Sequence, residues 1–178
     1  MDRAVFLDRD GVINEVLNHR VKFVNRPEDL HLLEGVEQAI RQFNEDGWKV
    51  FIVTNQGGVG LGYMTEETLG EIHERLVDLF GASGARVDDI AYCPHMPHEG
   101  CACRKPEAGM ILDLAETHDI SLGESYMVGD REPDIQAGRN AGTRTVFIGD
   151  RKNKKIGADH HFRDLISFSN WLVDRRWM

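Results

Sequence analysis

Five short apolar runs recur along this 178-residue chain, and a stretch with helical spacing follows each. The runs cover residues 4–7, 49–53, 89–92, 126–128 and 143–148. Apolar runs of that length, without polar alternation, read as strands buried on both faces. Between the first two, residues 34–46 put Val36, Ala39, Ile40 and Phe43 at helical spacing, with Gly47 as a stop. Thr65 reads as the N-cap of a second helix, whose stripe is Leu69, Ile72, Leu76 and Leu79. A third helix is expected from Pro106 or Glu107, carrying Met110, Ile111, Leu114 and Ala115. Residues 135–141 and 165–171 supply two more. Residues 15–33 show no period and read as loop, and Asp159-His160-His161 reads as a surface turn. Strands alternating with helices predict an α/β fold of three layers, Rossmann-like, around a central parallel sheet. No insertion is long enough for a separate cap, so residues 1–178 read as one domain.

In such a sheet, ligands bind beyond the carboxyl ends of the strands. Asp8-Arg9-Asp10-Gly11-Val12 follows the first run and Thr54-Asn55-Gln56 the second. Arg104-Lys105-Pro106 closes the loop after the third, and Gly129-Asp130 with Asp134 ends the fourth. Taken singly, each has a plainer reading: a polar turn, a loop, a basic surface turn, a helix N-terminus. Their joint order is what points to chemistry. An acid pair, a hydroxyl, an ammonium and a further acid reach one sheet edge, and phosphoryl transfer to a carboxylate needs that set. A phosphomonoester is anionic, so a carboxylate nucleophile needs a cation beside it. Asp8 and Asp130, with a backbone carbonyl of the first loop, could bind Mg²⁺. Thr54 could donate to a phosphate oxygen, and Lys105 could supply positive charge. Asp10, two residues after Asp8, could protonate the leaving alkoxide and then activate water.

All three cysteines fall within eleven residues, in Cys93-Pro94-His95 and Cys101-Ala102-Cys103. Three thiols and an imidazole form a closed set for structural Zn²⁺. With all ligands used, such an ion would order the loop that presents Arg104 and Lys105.

The formal net charge is −9, opposite in sign to that of a typical nucleic-acid binder. No apolar run is long enough to cross a bilayer. The first strand begins without a charged and apolar leader, and a cytoplasmic monomer acting on a small phosphorylated metabolite is the expectation.

These motifs resemble those of the haloacid-dehalogenase superfamily over about residues 4–148. The resemblance implies a Mg²⁺-dependent phosphatase working through an aspartyl-phosphate. It implies Asp8 as nucleophile and Asp10 as general acid/base, with Asp8, Asp130 and the Asp10 carbonyl on the metal. It also implies Thr54 and Lys105 on the phosphate, and Asp134 supporting the metal shell. The zinc loop is similar to that of the branch holding heptose-1,7-bisphosphate 7-phosphatases and histidinol-phosphate phosphatases. Asn14 and Gly109-Met110 favour the heptose members, which act on the C7 phosphate of D-glycero-D-manno-heptose 1,7-bisphosphate. That likeness implies substrate contacts at Asn55, Gln56, Arg104 and Arg131. A phospho-acceptor signalling domain shares the acids, the Thr and the Lys. Its acceptor Asp follows the third strand, however, where this chain has the Cys-His loop.

Overall fold

The structure, a computed structural model, describes residues 1–150 and 156–175. Six parallel strands form one sheet: β1 (Ala4–Leu7), β2 (Lys49–Asn55), β3 (Asp89–Cys93), β4 (Tyr126–Gly129), β5 (Arg144–Ile148) and β6 (His160–Phe162). Their order is β3-β2-β1-β4-β5-β6. The helices are α1 (Val36–Glu45), α2 (Glu66–Ala82), α3 (Gly109–His118), α4 (Glu132–Ala141) and α5 (Leu165–Asp174).

Strand side chains alternate in direction, so each apolar run feeds two cores. Val5, Leu7, Val50, Ile52 and Val128 join one core with Ile40, Phe43, Ile72 and Phe168, under α1, α2 and α5. Phe6, Phe51, Val53 and Met127 join the other with Met110, Ile111, Leu114 and Ala137, under α3 and α4. Each fully buried side chain of this kind contributes roughly 1.5–3 kcal/mol. The three-layer expectation therefore holds.

The chain winds from β1 through β2 to β3, then returns to build β4, β5 and β6 on the other side. The direction reverses between β1 and β4, and a crevice opens at that point beyond their carboxyl ends. Asp8 extends the β1–β4 ladder, its N–H donating to the Val128 carbonyl at 3.0 Å.

Three local expectations need correction. The third helix begins at Gly109, not at Pro106 or Glu107. The Gly109 N–H donates to the Ala102 carbonyl at 3.1 Å, which folds the segment before it back onto the Cys loop. A Cβ at position 109 would stand 2.3 Å from that oxygen, so only glycine fits there. The fourth helix begins at Glu132 rather than 135, because Pro133 suits a first turn and Asp134 caps it. Asp159-His160-His161 leads into the edge strand β6 and is not a surface turn. Tertiary partners explain this: Asp159 Oδ2 accepts from the Thr145 N–H and hydroxyl, and the His160 ring lies 4.6 Å from that of Trp171.

Candidate active site

At the crevice, Lys105 is 4% exposed and directs its ammonium inward. Its three donors are all engaged, by Asp8 Oδ1 at 2.8 Å, Asp134 Oδ1 at 2.6 Å and the Val53 carbonyl at 2.9 Å. The Lys105–Pro106 peptide is cis. Asn55 fixes the lysine backbone: Oδ1 accepts from the Lys105 N–H at 2.9 Å and Nδ2 donates to its carbonyl at 3.2 Å. Asp134 works twice, since its Oδ2 also accepts the Arg131 N–H at 3.1 Å and caps α4.

Asp8, Asp130 and Asp134 bring one carboxylate oxygen each within 4.8 Å of one another. Burial pushes the Asp8 carboxyl well up, Asp134 adds to the rise, and Lys105 opposes it. Burial and then Asp134 raise Asp130 to about 6. On Lys105, burial works against the ammonium, but Asp8 and Asp134 outweigh it and its pKa rises. One ammonium thus faces three carboxylates, which leaves uncompensated negative charge in a buried place.

That imbalance fits a divalent cation, and two local features support the fit. Asp130 Oδ1 is buried without a hydrogen-bond partner. Gly11, at φ +87°, leaves the space Asp130 occupies; a Cβ there would lie 2.0 Å from Asp130 Oδ2. Oxygen-only donors on a half-open rim suit Mg²⁺, which retains waters. The Asp10 carboxylate stands outside this cluster.

Asp10 has its own surroundings. Arg9 donates to its Oδ1 through Nε at 3.1 Å and Nη2 at 2.9 Å. Asn14 Nδ2 donates to the same oxygen at 3.0 Å, and Gln56 Nε2 reaches Oδ2 at 3.3 Å. Burial alone would raise the Asp10 carboxyl, but Arg9 and these amides hold it below its usual range. Gln56 also donates to the Thr54 hydroxyl oxygen at 2.8 Å. Thr54 and Gln56 are both buried, and neither lines the cleft.

The cleft itself, of about 170 Å³, is lined by Asp8, Asp10, Asn55, Arg104, Lys105, Asp130, Arg131 and Asp134, and by three apolar residues of the β1–α1 loop. Those three, Val16, Leu17 and Phe23, had no signal in the sequence beyond sitting in an aperiodic loop. Leu17 is 67% exposed and Phe23 54%, on the side open to solvent. A larger hollow of about 540 Å³ lies beyond Asp130, between Gly11 and Asp164, but holds neither Asp8 nor Lys105.

The Cys-His loop forms a second cluster. Cys93, His95, Cys101 and Cys103 bring their ligand atoms within 4.8 Å of one another. Cys93 and Cys103 Sγ are 2.9 Å apart, and His95 Nδ1 lies 3.3 Å from Cys93 and 3.2 Å from Cys103. A disulfide would be about 2.0 Å, so these are free thiols. Burial works against the Cys101 thiolate, yet the Arg104 N–H and the neighbouring ligands bring its pKa to about 6. The donor set and its closure fit structural Zn²⁺. Arg104 leaves this loop for the cleft, its Nη1 donating to the His95 carbonyl at 3.3 Å.

Sheet order and strand-end acids define the class, a phosphatase of the HAD type. Residues 102–163 match the HAD-hydrolase-like family model. A Rhodopseudomonas palustris D-glycero-beta-D-manno-heptose-1,7-bisphosphate 7-phosphatase is 42% identical, over 78% of this chain and 79% of its own. The corresponding alpha-named phosphatase of Campylobacter jejuni is 34% identical over 97% of both chains. The crystal structure of D,D-heptose 1,7-bisphosphate phosphatase from B. bronchiseptica, complexed with magnesium and phosphate, superposes with a TM-score of 0.88. That structure is 33% identical and covers 97% of this chain and 99% of its own. The chain belongs to the D-glycero-D-manno-heptose-1,7-bisphosphate 7-phosphatase family.

Proposed function

We propose that this chain hydrolyses the C7 phosphate of D-glycero-D-manno-heptose 1,7-bisphosphate through a phosphorylated Asp8, as one capless catalytic unit. The observation that carries this reading is the Lys105 ammonium between Asp8 and Asp134, beside the unpartnered oxygen of Asp130. Asp8 attacks phosphorus, and the bond from phosphorus to the C7 oxygen breaks. Asp10 gives that oxygen its proton. Water then attacks the phosphorus on Asp8, the bond between phosphorus and the Asp8 oxygen breaks, and Asp10 takes the water's proton as phosphate leaves. Lys105 balances charge on the transferring group and holds Asp8 in line, while Asp134 anchors Lys105. Thr54, buried against Gln56, would donate a hydrogen bond from its O–H to a phosphate oxygen once that amide shifts aside. Mg²⁺, held by Asp8, Asp130 and the Asp10 carbonyl, would screen the phosphate from the carboxylates. Zn²⁺ on the Cys-His set would hold Arg104 and Lys105 in register.

Arg104 and Arg131 on the cleft wall favour a substrate with a second anionic group, with Asn55 beside them. They disfavour histidinol phosphate, whose ammonium would meet two guanidinium groups. The test is phosphate release from a panel of phosphorylated metabolites with Mg²⁺. The heptose bisphosphate should give the highest kcat/KM; a higher value for histidinol phosphate would reverse the substrate assignment.

A further inference from the structure

Arg9 is the bulkiest of the fully buried side chains, at 0% exposure. A buried cation must be compensated, and the way Arg9 is compensated constrains Asp10. Two arms of its fork and the Asn14 amide give Asp10 Oδ1 three donors between 2.9 and 3.1 Å. Asp10 Oδ2 has a single long contact, at 3.3 Å to Gln56. The third arm, Arg9 Nη1, meets His73 Nε2 at 3.1 Å. Arginine can only donate, so Nε2 accepts and the ring proton sits on Nδ1 of a neutral imidazole. His73 lies on the buried face of α2.

We propose that Arg9, braced by His73, is the positioning residue of Asp10: it saturates Oδ1 and leaves Oδ2 to give and take the proton. The proposal rests on the reading of Asp10 as acid/base. An oxygen with three donors gains a proton only by losing one of them, whereas Oδ2 gains it without giving up a short hydrogen bond. The fork also fixes the carboxyl plane, so Oδ2 stays aligned in both half-reactions. A carboxylate at position 73 would compete with Asp10 for the fork; a neutral acceptor satisfies Nη1 without competing.

The test uses the full chain with Mg²⁺ and two substrates, the heptose bisphosphate and p-nitrophenyl phosphate. An aryl oxide leaves without a proton and an alkoxide does not, and kcat/KM reports the steps up to phosphorylation of Asp8. In Arg9→Lys, kcat/KM should fall about 10²-fold on the alkyl ester and less than about tenfold on the aryl ester. Equal losses on both would overturn the proposal. His73→Leu should shift the same ratio and His73→Gln, which keeps an acceptor, should restore it. That pair decides the matter if circular dichroism finds Arg9→Lys unfolded; a ratio in His73→Leu equal to wild type then refutes the role. Asp10→Asn separates the two layers. If it leaves the ratio unmoved, the acid/base reading falls. If it moves the ratio while Arg9→Lys and His73→Leu do not, only the positioning pair falls.

Discussion

The two clusters of candidate metal ligands in this molecule occupy neighbouring loops at one sheet edge, yet they are built on opposite plans. The Cys-His cluster is closed: three thiols and an imidazole come from one eleven-residue stretch and turn their ligand atoms toward one another. The acid cluster is assembled from the ends of β1 and β4 and the start of α4, with Lys105 arriving from the loop after β3. It keeps an unpartnered oxygen and opens into a cleft. A closed site exerts its effect through the fold, and an open one retains room for chemistry. Cutting ligands from each cluster should therefore produce different losses.

The largest effect is expected at the open cluster. Asp8→Asn should lower phosphate release by more than about 10³-fold while circular dichroism stays native, because a carboxamide is no nucleophile. Substantial residual turnover would remove Asp8 from the reaction. Gly11→Ala should come next: its Cβ would fall on Asp130. It should raise the Mg²⁺ concentration for half-activity by about 10–100-fold, the range for a disturbed ligand support, read by Mg²⁺ titration. An unchanged titration would mean that Asp130 is not a ligand.

Cys101→Ser addresses the closed cluster. Bound zinc should drop from about one per chain to near zero, and the thermal midpoint should fall, since metal binding of this kind is folding free energy. Zinc is read by atomic absorption; full retention would break the Cys₃His assignment. Activity should fall less than in Asp8→Asn, through looser presentation of Arg104 and Lys105.

The smallest effect concerns His73. Burial, then Arg9, depresses its pKa from the ordinary 6.5 to about 3. The unfolded chain binds this proton first as pH falls, so its stabilising contribution is whole above about 6.5 and is lost toward pH 3. Its slope is at most about 1.4 kcal/mol per pH unit. Urea unfolding from pH 7 to 4 should be flatter in His73→Gln than in wild type; parallel curves would contradict a buried neutral imidazole.

Much of this was legible in the sequence for a plain reason. Buried parallel strands are written as unbroken apolar runs, and the residues that follow them lie at the ligand-binding edge. That rule alone places Asp8, Thr54, Lys105 and Asp130 on one side of the sheet. The thiol cluster was legible because its ligands are close in the chain. The same local rules misjudged Asp159-His160-His161, where partners on β5 and α5 make a strand out of residues with no strand pattern. They also passed over His73, although it follows Ile72 on the apolar stripe of α2. An inward histidine at that spacing was the available signal.

The amino-acid order alone determined the layer architecture, the edge that carries the acids and the membership of the Cys-His set, because periodicity and short spacing are local properties. Only the tertiary structure decided how the polar groups divide among themselves. Gln56 turns to Thr54 and Asp10, Asn55 grips the Lys105 backbone, and Arg9 is swallowed whole to hold Asp10. Each of those choices depends on which donor is nearest once distant segments are packed and water is gone, and no spacing along the chain encodes that distance.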